Sequence, residues 1–318
     1  MNAQAQPPRI AVVDLGTNST RLLVADVRDG AVEELERRTN VTRLGQGVDA
    51  TGRLADDAME RVYDTLAGYR EIIDRLGARE VVAIATSAVR DAENGSDFRE
   101  ALRERFGIDA RTISGDEEAR LTFRGATAAR PVGEGPTLVL DIGGGSTEFV
   151  IGTPGADPDF HVSATLGSVR QTERHLTDDP PPPAQMAELA REVGWIIEDA
   201  VPERHRRSVD TGIAVAGTAT SLAAIDQALD PYDPARVHGY ELALGACERM
   251  LALLAALPIA ERREVTGLNP DRAPTIVAGA VILIETMRAF GLDAMETSEA
   301  DLLHGAALSA AERAGRSV

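Results

Sequence analysis

The chain has 318 residues, more than one hydrophobic core usually serves, so two domains are expected. Its formal net charge of −18 argues against general nucleic-acid binding, and all 33 basic residues are arginine, which excludes Walker A and lysine-imine chemistry. One cysteine, Cys247, rules out an intramolecular disulfide and a cysteine metal cage; with no bilayer-length apolar run and no signal-like start, the expected setting is the reducing cytoplasm, away from membranes.

In chain order, "RIAVVDLG", "TRLLVADVR" and "GAVEELERRTNVTRL" read as a three-strand antiparallel meander. "ADDAMERVYDTLAGYREIIDRLG" has apolar residues at helical spacing with Gly77 as a stop. "EVVAIAT" reads as a buried strand, "DFREALRERFG" as a helix, "DARTIS" as a strand and "GDEEARLTFRGATAA" as a helix with an acidic first turn. The plan then repeats: strands at 136 to 141, 146 to 152 and about 159 to 165, and a helix from about 168. "TDDPPPP" caps and stiffens a surface loop before the helix "AQMAELAREVGWIIEDAV". Strand "TGIAVAG" and helix "TATSLAAI" follow, and the remainder reads as largely helical. The class expected is α/β with mixed sheets, duplicated. The domains are 1–128 and 129–318, with the last helix as a segment that packs back on the first.

The duplication is visible at residue level. "VVDLGTNSTRLLV" (12 to 24) and "VLDIGGGSTEFVI" (139 to 151) share a strand ending in Asp, an apolar residue, Gly, two small or polar residues, Ser-Thr, a charged residue and a second strand. Asp14 matches Asp141, Gly16 matches Gly143, Ser19 matches Ser146 and Thr20 matches Thr147. Three consecutive glycines, 143 to 145, exceed what a hairpin turn needs and leave backbone N–H groups that favour an anion such as phosphate. The flanking acids Asp141 and Glu148 repel an anion unless a cation intervenes, so the pattern suggests metal plus phosphate. The rival is a bare structural hairpin. A third element, "AVAGTATSLAAID", sets Gly217, Thr218 and Ser221 where a strand leads into a helix, a geometry that presents free N–H groups to an anion; an ordinary cap is its rival.

These segments, with "ATSAVRDAENGSDF", "ISGDEEARLTFRG", "TLGSVRQTERHL" and "GLNPDRAPTIVAGAVIL", resemble the successive motifs of the Ppx/GppA phosphatases, the exopolyphosphatases and guanosine pentaphosphate phosphohydrolases. The resemblance runs from about residue 9 to 285 and is to the short, two-domain type. It implies duplicated ribonuclease H-like domains of the actin, sugar-kinase and heat-shock ATPase superfamily, with a cleft between them. It implies Glu118 of "SGDEEAR" as the catalytic acid that orients or deprotonates the attacking water. It also implies Mg²⁺ at Asp14, Asp141 and Glu148, and phosphate contacts from Gly16, Thr17, Asn18, Ser19, Arg90, Gly143, Gly144, Gly145, Ser146, Thr147, Gly217 and Thr218. A homodimer is expected on the same ground.

From helix logic alone Glu117 and Glu118 are first-turn acids, and Arg90 is a surface arginine. Arg120 and Arg170 are held as candidates only. Thr17 stands where many members have Ser, and "TSEADLLHGAAL" lacks the Gly-Leu-Arg-Glu-Gly type of sequence expected after its Ser. The expected activity is Mg-dependent removal of terminal phosphate from polyphosphate. The alternatives are guanosine pentaphosphate as substrate, a kinase of the same superfamily, and a sensor that binds polyphosphate or alarmone without turnover.

Overall fold

The computed structural model describes residues 7–131 and 135–316, so 1–6, 132–134 and 317–318 of the expected domains lie outside it. The chain divides into two compact units, one from the N-terminal part up to Ala129 together with the segment from Leu302, the other Arg130–Asp301. The last helix belongs to the first unit.

Unit 1 follows β1 (Arg9–Leu15), β2 (Thr20–Arg28), β3 (Ala31–Asn40), α1 (Val48–Thr51), α2 (Asp56–Leu76), β4 (Glu80–Ala85), α3 (Ser87–Asp91), α4 (Gly95–Phe106), β5 (Ala110–Thr112) and α5 (Gly115–Thr127). Its sheet has the order β3-β2-β1-β4-β5, with β1–β3 an antiparallel meander and β4 and β5 parallel to β1. Side chains alternate across a strand, so Ala11, Val13 and Leu15 join α2 and α4 in one core layer. Ile10 and Val12 face the other way, onto Leu303, Ala306, Ala307 and Ala310 of α14 (Leu302–Arg316). Asp14 shares the parity of Ile10 and Val12 and stands on that second face, at the strand's C-terminal end.

Unit 2 continues with β6 (Thr137–Ile142), β7 (Thr147–Gly152), β8 (Phe160–Ala164), α6 (Ser168–His175), α7 (Pro183–Ala200), α8 (Glu203–Arg206), β9 (Thr211–Val215), α9 (Ala216–Asp226), α10 (Pro234–Val237), β10 (Glu241–Ala243), α11 (Leu244–Ala256), α12 (Ile259–Arg262), α13 (Ile276–Phe290) and β11 (Ala294–Thr297), with a 3₁₀ turn at Pro270–Arg272. The order β10-β11-β9-β6-β7-β8 repeats the first sheet with one edge strand added. β6–β8 form the second meander, and β9 and β11 run parallel to β6 through the sheet. The fold is thus a duplicated α/β arrangement of mixed sheets.

The region after α9 is largely helical as expected, but the strands β10 and β11, not foreseen in the sequence, complete the sheet there. Strands of three and four residues are too short to show a period of two. The Pro run is tied down: the Asp179 carboxylate accepts the Ile259 N–H at 2.9 and 3.0 Å, at the start of α12. Nearby, the buried Arg262 donates to the carbonyls of Leu254, Leu257 and Ala273. Among the described residues no helix is long and apolar enough to cross a membrane.

Candidate functional site

Parallel strands leave their carboxyl ends open to a ligand, and the candidate residues of each unit gather at those ends. In unit 1 the turn after β1 closes with Gly16 N–H donating to Ser19 O at 3.0 Å. In unit 2 the turn after β6 closes with Gly143 N–H donating to Ser146 O, also at 3.0 Å. A methyl group at Gly16 would lie 2.9 Å from Ser19 O and one at Gly143 3.0 Å from Ser146 O, so the same close approach demands glycine twice.

What holds the turns differs. In unit 2 the carbonyls of Gly143 and Gly144 accept N–H groups from the start of α6: Ser168 to Gly143 at 2.9 Å, and Val169 and Arg170 to Gly144 at 2.9 and 3.1 Å. Arg170 Nε donates to Gly145 O at 2.9 Å. A trans peptide sets its C=O and the next N–H in opposite directions, so the amides of Gly144, Gly145 and Ser146 point away from these partners. In unit 1 the carbonyls of Thr17 and Asn18 accept Gly45 N–H at 2.8 Å and Arg43 N–H at 2.9 Å, which turns the amides of Asn18 and Ser19 outward in the same way. Amides turned away from their bracing partners in this way are donors suited to anionic oxygen.

Gly167 was not singled out by sequence, yet a methyl there would sit 2.2 Å from Gly144 O. Arg170, a candidate ligand by sequence, is a brace of the turn. The paired threonines are braces too. Thr147 Oγ1 donates to Leu166 O, and Thr20 Oγ1 bonds Thr42 Oγ1 at 3.0 Å, both side chains fully buried. Ser146 Oγ donates to Glu148 Oε1 at 2.8 Å, as does Ser163 Oγ, so that hydroxyl orients an acid.

The acids fall into two kinds. Asp141 stands directly across from Glu148 in the β6/β7 register, both buried and on one face of the sheet. Asp14 stands across from Arg21 in the β1/β2 register, and Arg21 Nε donates to Asp14 Oδ2 at 2.8 Å. A divalent cation needs anionic oxygen, and magnesium takes one or two carboxylates with waters or phosphate as its other ligands. Among the described residues no group of three or more His, Cys, Asp and Glu stands ready to hold a metal ion. The facing pair Asp141 and Glu148 fits a site of few protein ligands.

Glu118 parts company with the other acids of its helix turn. Asp116 is exposed and Glu117 partly so, and Glu117 pairs with Arg111 on the surface, whereas Glu118 is buried. Ser114 Oγ caps α5 by accepting Glu117 N–H at 3.1 Å, and that fixes the turn. Glu118 Oε2 then lies 3.5 Å from Arg90 Nη1, which also donates to Ile113 O at 3.1 Å. Arg90 comes from α3, a single helical turn not foreseen in the sequence. The hydroxyl pair Thr17 Oγ1 and Ser87 Oγ, 2.8 Å apart, ties the start of α3 to the first turn. Unit 1 therefore brings together Thr17, Asn18, Arg90 and Glu118.

In unit 2, β9 enters α9 through Ala216 at φ 62°, a strained conformation for a residue with a side chain. The Arg272 guanidinium packs on Gly217: a methyl there would fall 1.9 Å from Cζ, so a side chain at 217 would displace the arginine. Gly279 of α13 makes room for Thr218: a methyl there would fall 2.6 Å from the Thr218 hydroxyl oxygen. Arg272 escaped the sequence reading because only the fold lays its turn against Gly217.

Comparison with known proteins adds three relationships. Exopolyphosphatase 2 of Mycobacterium tuberculosis is 37% identical over 321 residues, covering 95% of this chain and 98% of that protein. The crystal structure of the Aquifex aeolicus Ppx/GppA family member superposes with a TM-score of 0.80 at 30% identity, over 96% of this chain and 98% of that one. An exopolyphosphatase from Cytophaga hutchinsonii gives 0.87 at 27% identity over the same shares. With residues 23–314 matching its model, the chain belongs to the Ppx/GppA phosphatase family.

Proposed function

We propose that the chain is an exopolyphosphatase, a hydrolase that removes the terminal phosphate of linear inorganic polyphosphate. The observation that carries this reading is the buried Glu118 beside Arg90, in the unit whose first turn presents outward amides. The names of its relatives in M. tuberculosis and C. hutchinsonii support the choice of polyphosphate.

In this reading Glu118 orients a water molecule and accepts its proton as the water oxygen bonds to the terminal phosphorus. The bridging P–O bond breaks, and the shortened chain departs as an anion. Arg90 holds the Glu118 carboxylate in place and adds positive charge near the transferred group. Amides of Asn18 and Ser19 bind phosphate oxygens without the reorganisation that water would need, and the second unit carries donors of the same kind at Gly144, Gly145 and Ser146. Arg272, packed on Gly217 at the start of α9, adds a planar cation suited to bidentate phosphate contact. Asp141 and Glu148 would hold magnesium, which when bound neutralises charge on phosphate oxygens.

The test is phosphate release by the purified protein from long-chain polyphosphate, short-chain polyphosphate, guanosine pentaphosphate and ATP in parallel. Release from polyphosphate that stops with a chelator and with Glu118→Gln supports the proposal. Release from guanosine pentaphosphate alone moves the substrate to the alarmone, and no release by folded protein leaves a binding protein.

A further inference from the structure

The first turn of unit 1 meets α3 through a pair of hydroxyls. Thr17 Oγ1 and Ser87 Oγ lie 2.8 Å apart, the residues 8% and 4% exposed, and among the described residues neither hydroxyl has another hydrogen-bond partner. A hydroxyl carries one proton and two lone pairs. When two hydroxyls bond to each other, one proton lies between the oxygens and the other is left over, so this buried pair holds a donor that no described residue takes up. The surroundings fix where that donor sits. A methyl at Gly45 would fall 2.2 Å from Thr17 Cγ2, and Gly45 N–H donates to Thr17 O at 2.8 Å, so the bare backbone at 45 is the seat of the threonine methyl. With Cγ2 seated there, the stiff χ1 of a β-branched side chain holds Oγ1 toward Ser87. Ser87 and Arg90 are three apart on α3 and share a face, so the helical turn that brings Ser87 to Thr17 also brings Arg90 to Glu118.

We propose that Ser87 is a positioning residue for substrate: it donates to Thr17, and the Thr17 proton, the one left over, goes to a phosphate oxygen held at the first turn. This rests on the hydrolase reading above. The direction follows from the ligand. An ionised phosphate oxygen only accepts, so Thr17 must donate to it, and the Ser87 proton is then the one between the two hydroxyls. Donation by Ser87 polarises the Thr17 O–H and makes it a stronger donor than a lone threonine. Thr17 precedes Asn18 and Ser19, whose amides are turned away from their bracing partners, so its hydroxyl adds a side-chain donor to theirs. Switching the pair to this arrangement takes only the rotation of two O–H bonds.

The experiment measures kcat and KM for phosphate release from long-chain polyphosphate by the purified full chain, with thermal denaturation showing that each variant is folded. Ser87→Ala should raise KM about five- to twentyfold with kcat within about twofold, because the donor serves bound substrate and transition state alike. Ser87→Thr returns the hydroxyl and should recover most of that loss. Thr17→Val removes the donor itself and should raise KM at least as far, and the double variant should be no worse than Thr17→Val within about twofold, since both changes break one chain. A bond that only held the fold would lower Tm and leave KM near the wild-type value, and that result overturns the proposal. So does a loss in kcat alone, or a double variant in which the two losses multiply. If Ser87→Ala does not fold, Thr17→Val against Thr17→Ser decides, and equal KM values overturn the proposal. A wild type that releases no phosphate from polyphosphate overturns the hydrolase reading itself, a result distinct from the other failures.

Discussion

Oε2 of Glu118 lies 3.5 Å from Nη1 of Arg90, a charged contact at the long end of the hydrogen-bond range. Arg90 is anchored independently by its bond to Ile113 O, so it positions the acid. Arg90→Ala should lower kcat/KM on polyphosphate about ten- to hundredfold, the scale of a lost charged hydrogen bond of about 1.5–3 kcal/mol. Steady-state phosphate release checks this, with thermal denaturation showing that the fold persists.

Close approach at Gly167 gives a prediction on stability. Gly167→Ala drives a methyl to 2.2 Å from the rigid Gly144 carbonyl, whereas Gly143→Ala brings one to 3.0 Å from Ser146 O. Gly167→Ala should therefore be the more destabilising of the two, by about 1–3 kcal/mol or more against wild type, and should abolish activity by displacing the turn. Gly68, exposed in the middle of α2 with nothing within 4 Å of its missing methyl, is the opposite case. Gly68→Ala should stabilise by about 0.5–1 kcal/mol with unchanged kinetics. Chemical denaturation of the three variants measures the ranking.

Much of the site was legible because chemistry at a tight turn restricts residue choice. Asp-x-Gly-x-x-Ser-Thr recurs because the Gly N–H to Ser O closure recurs, and a reader of the sequence sees the cause through its effect. What the hydroxyls do was less legible. Ser19, Ser146 and Thr147 all look like phosphate ligands in the sequence; in the fold Ser146 also orients Glu148, and Thr147 braces its turn through a partner 19 residues away, as Thr20 does through one 22 residues away. Gly167 and Arg272 acquire meaning only from what the fold lays against them. β10 and β11 were missed for a different reason: pairing across the sheet makes them strands, and their own three or four residues carry no period.

Arg262 is buried and donates to three carbonyls, with Asp179 at 3.9 Å, and burial lowers its pKa. Arg262→Leu removes the donor that these three carbonyls share. A loss of about 3 kcal/mol or more is expected, seen as a fall in Tm, with kcat per folded molecule unchanged.

Burial pushes the Cys247 thiol up to about 12. At pH 8 the native protein should therefore leave a disulfide reagent such as dithionitrobenzoate unreacted over minutes, because neither thiolate nor access is present. In denaturant one equivalent should react at once. Rapid native labelling would show that α11 opens readily.

The central claim is that Glu118 does chemistry on water while other groups bind the phosphate chain. It is tested most directly by comparing wild type and Glu118→Gln for phosphate release from long-chain polyphosphate, with polyphosphate affinity measured on the same samples. The account predicts a fall in kcat of about 10²–10⁴-fold with the dissociation constant nearly unchanged. A Glu118→Gln protein that releases phosphate at the wild-type rate, or one that loses activity only because it no longer binds polyphosphate, would contradict it.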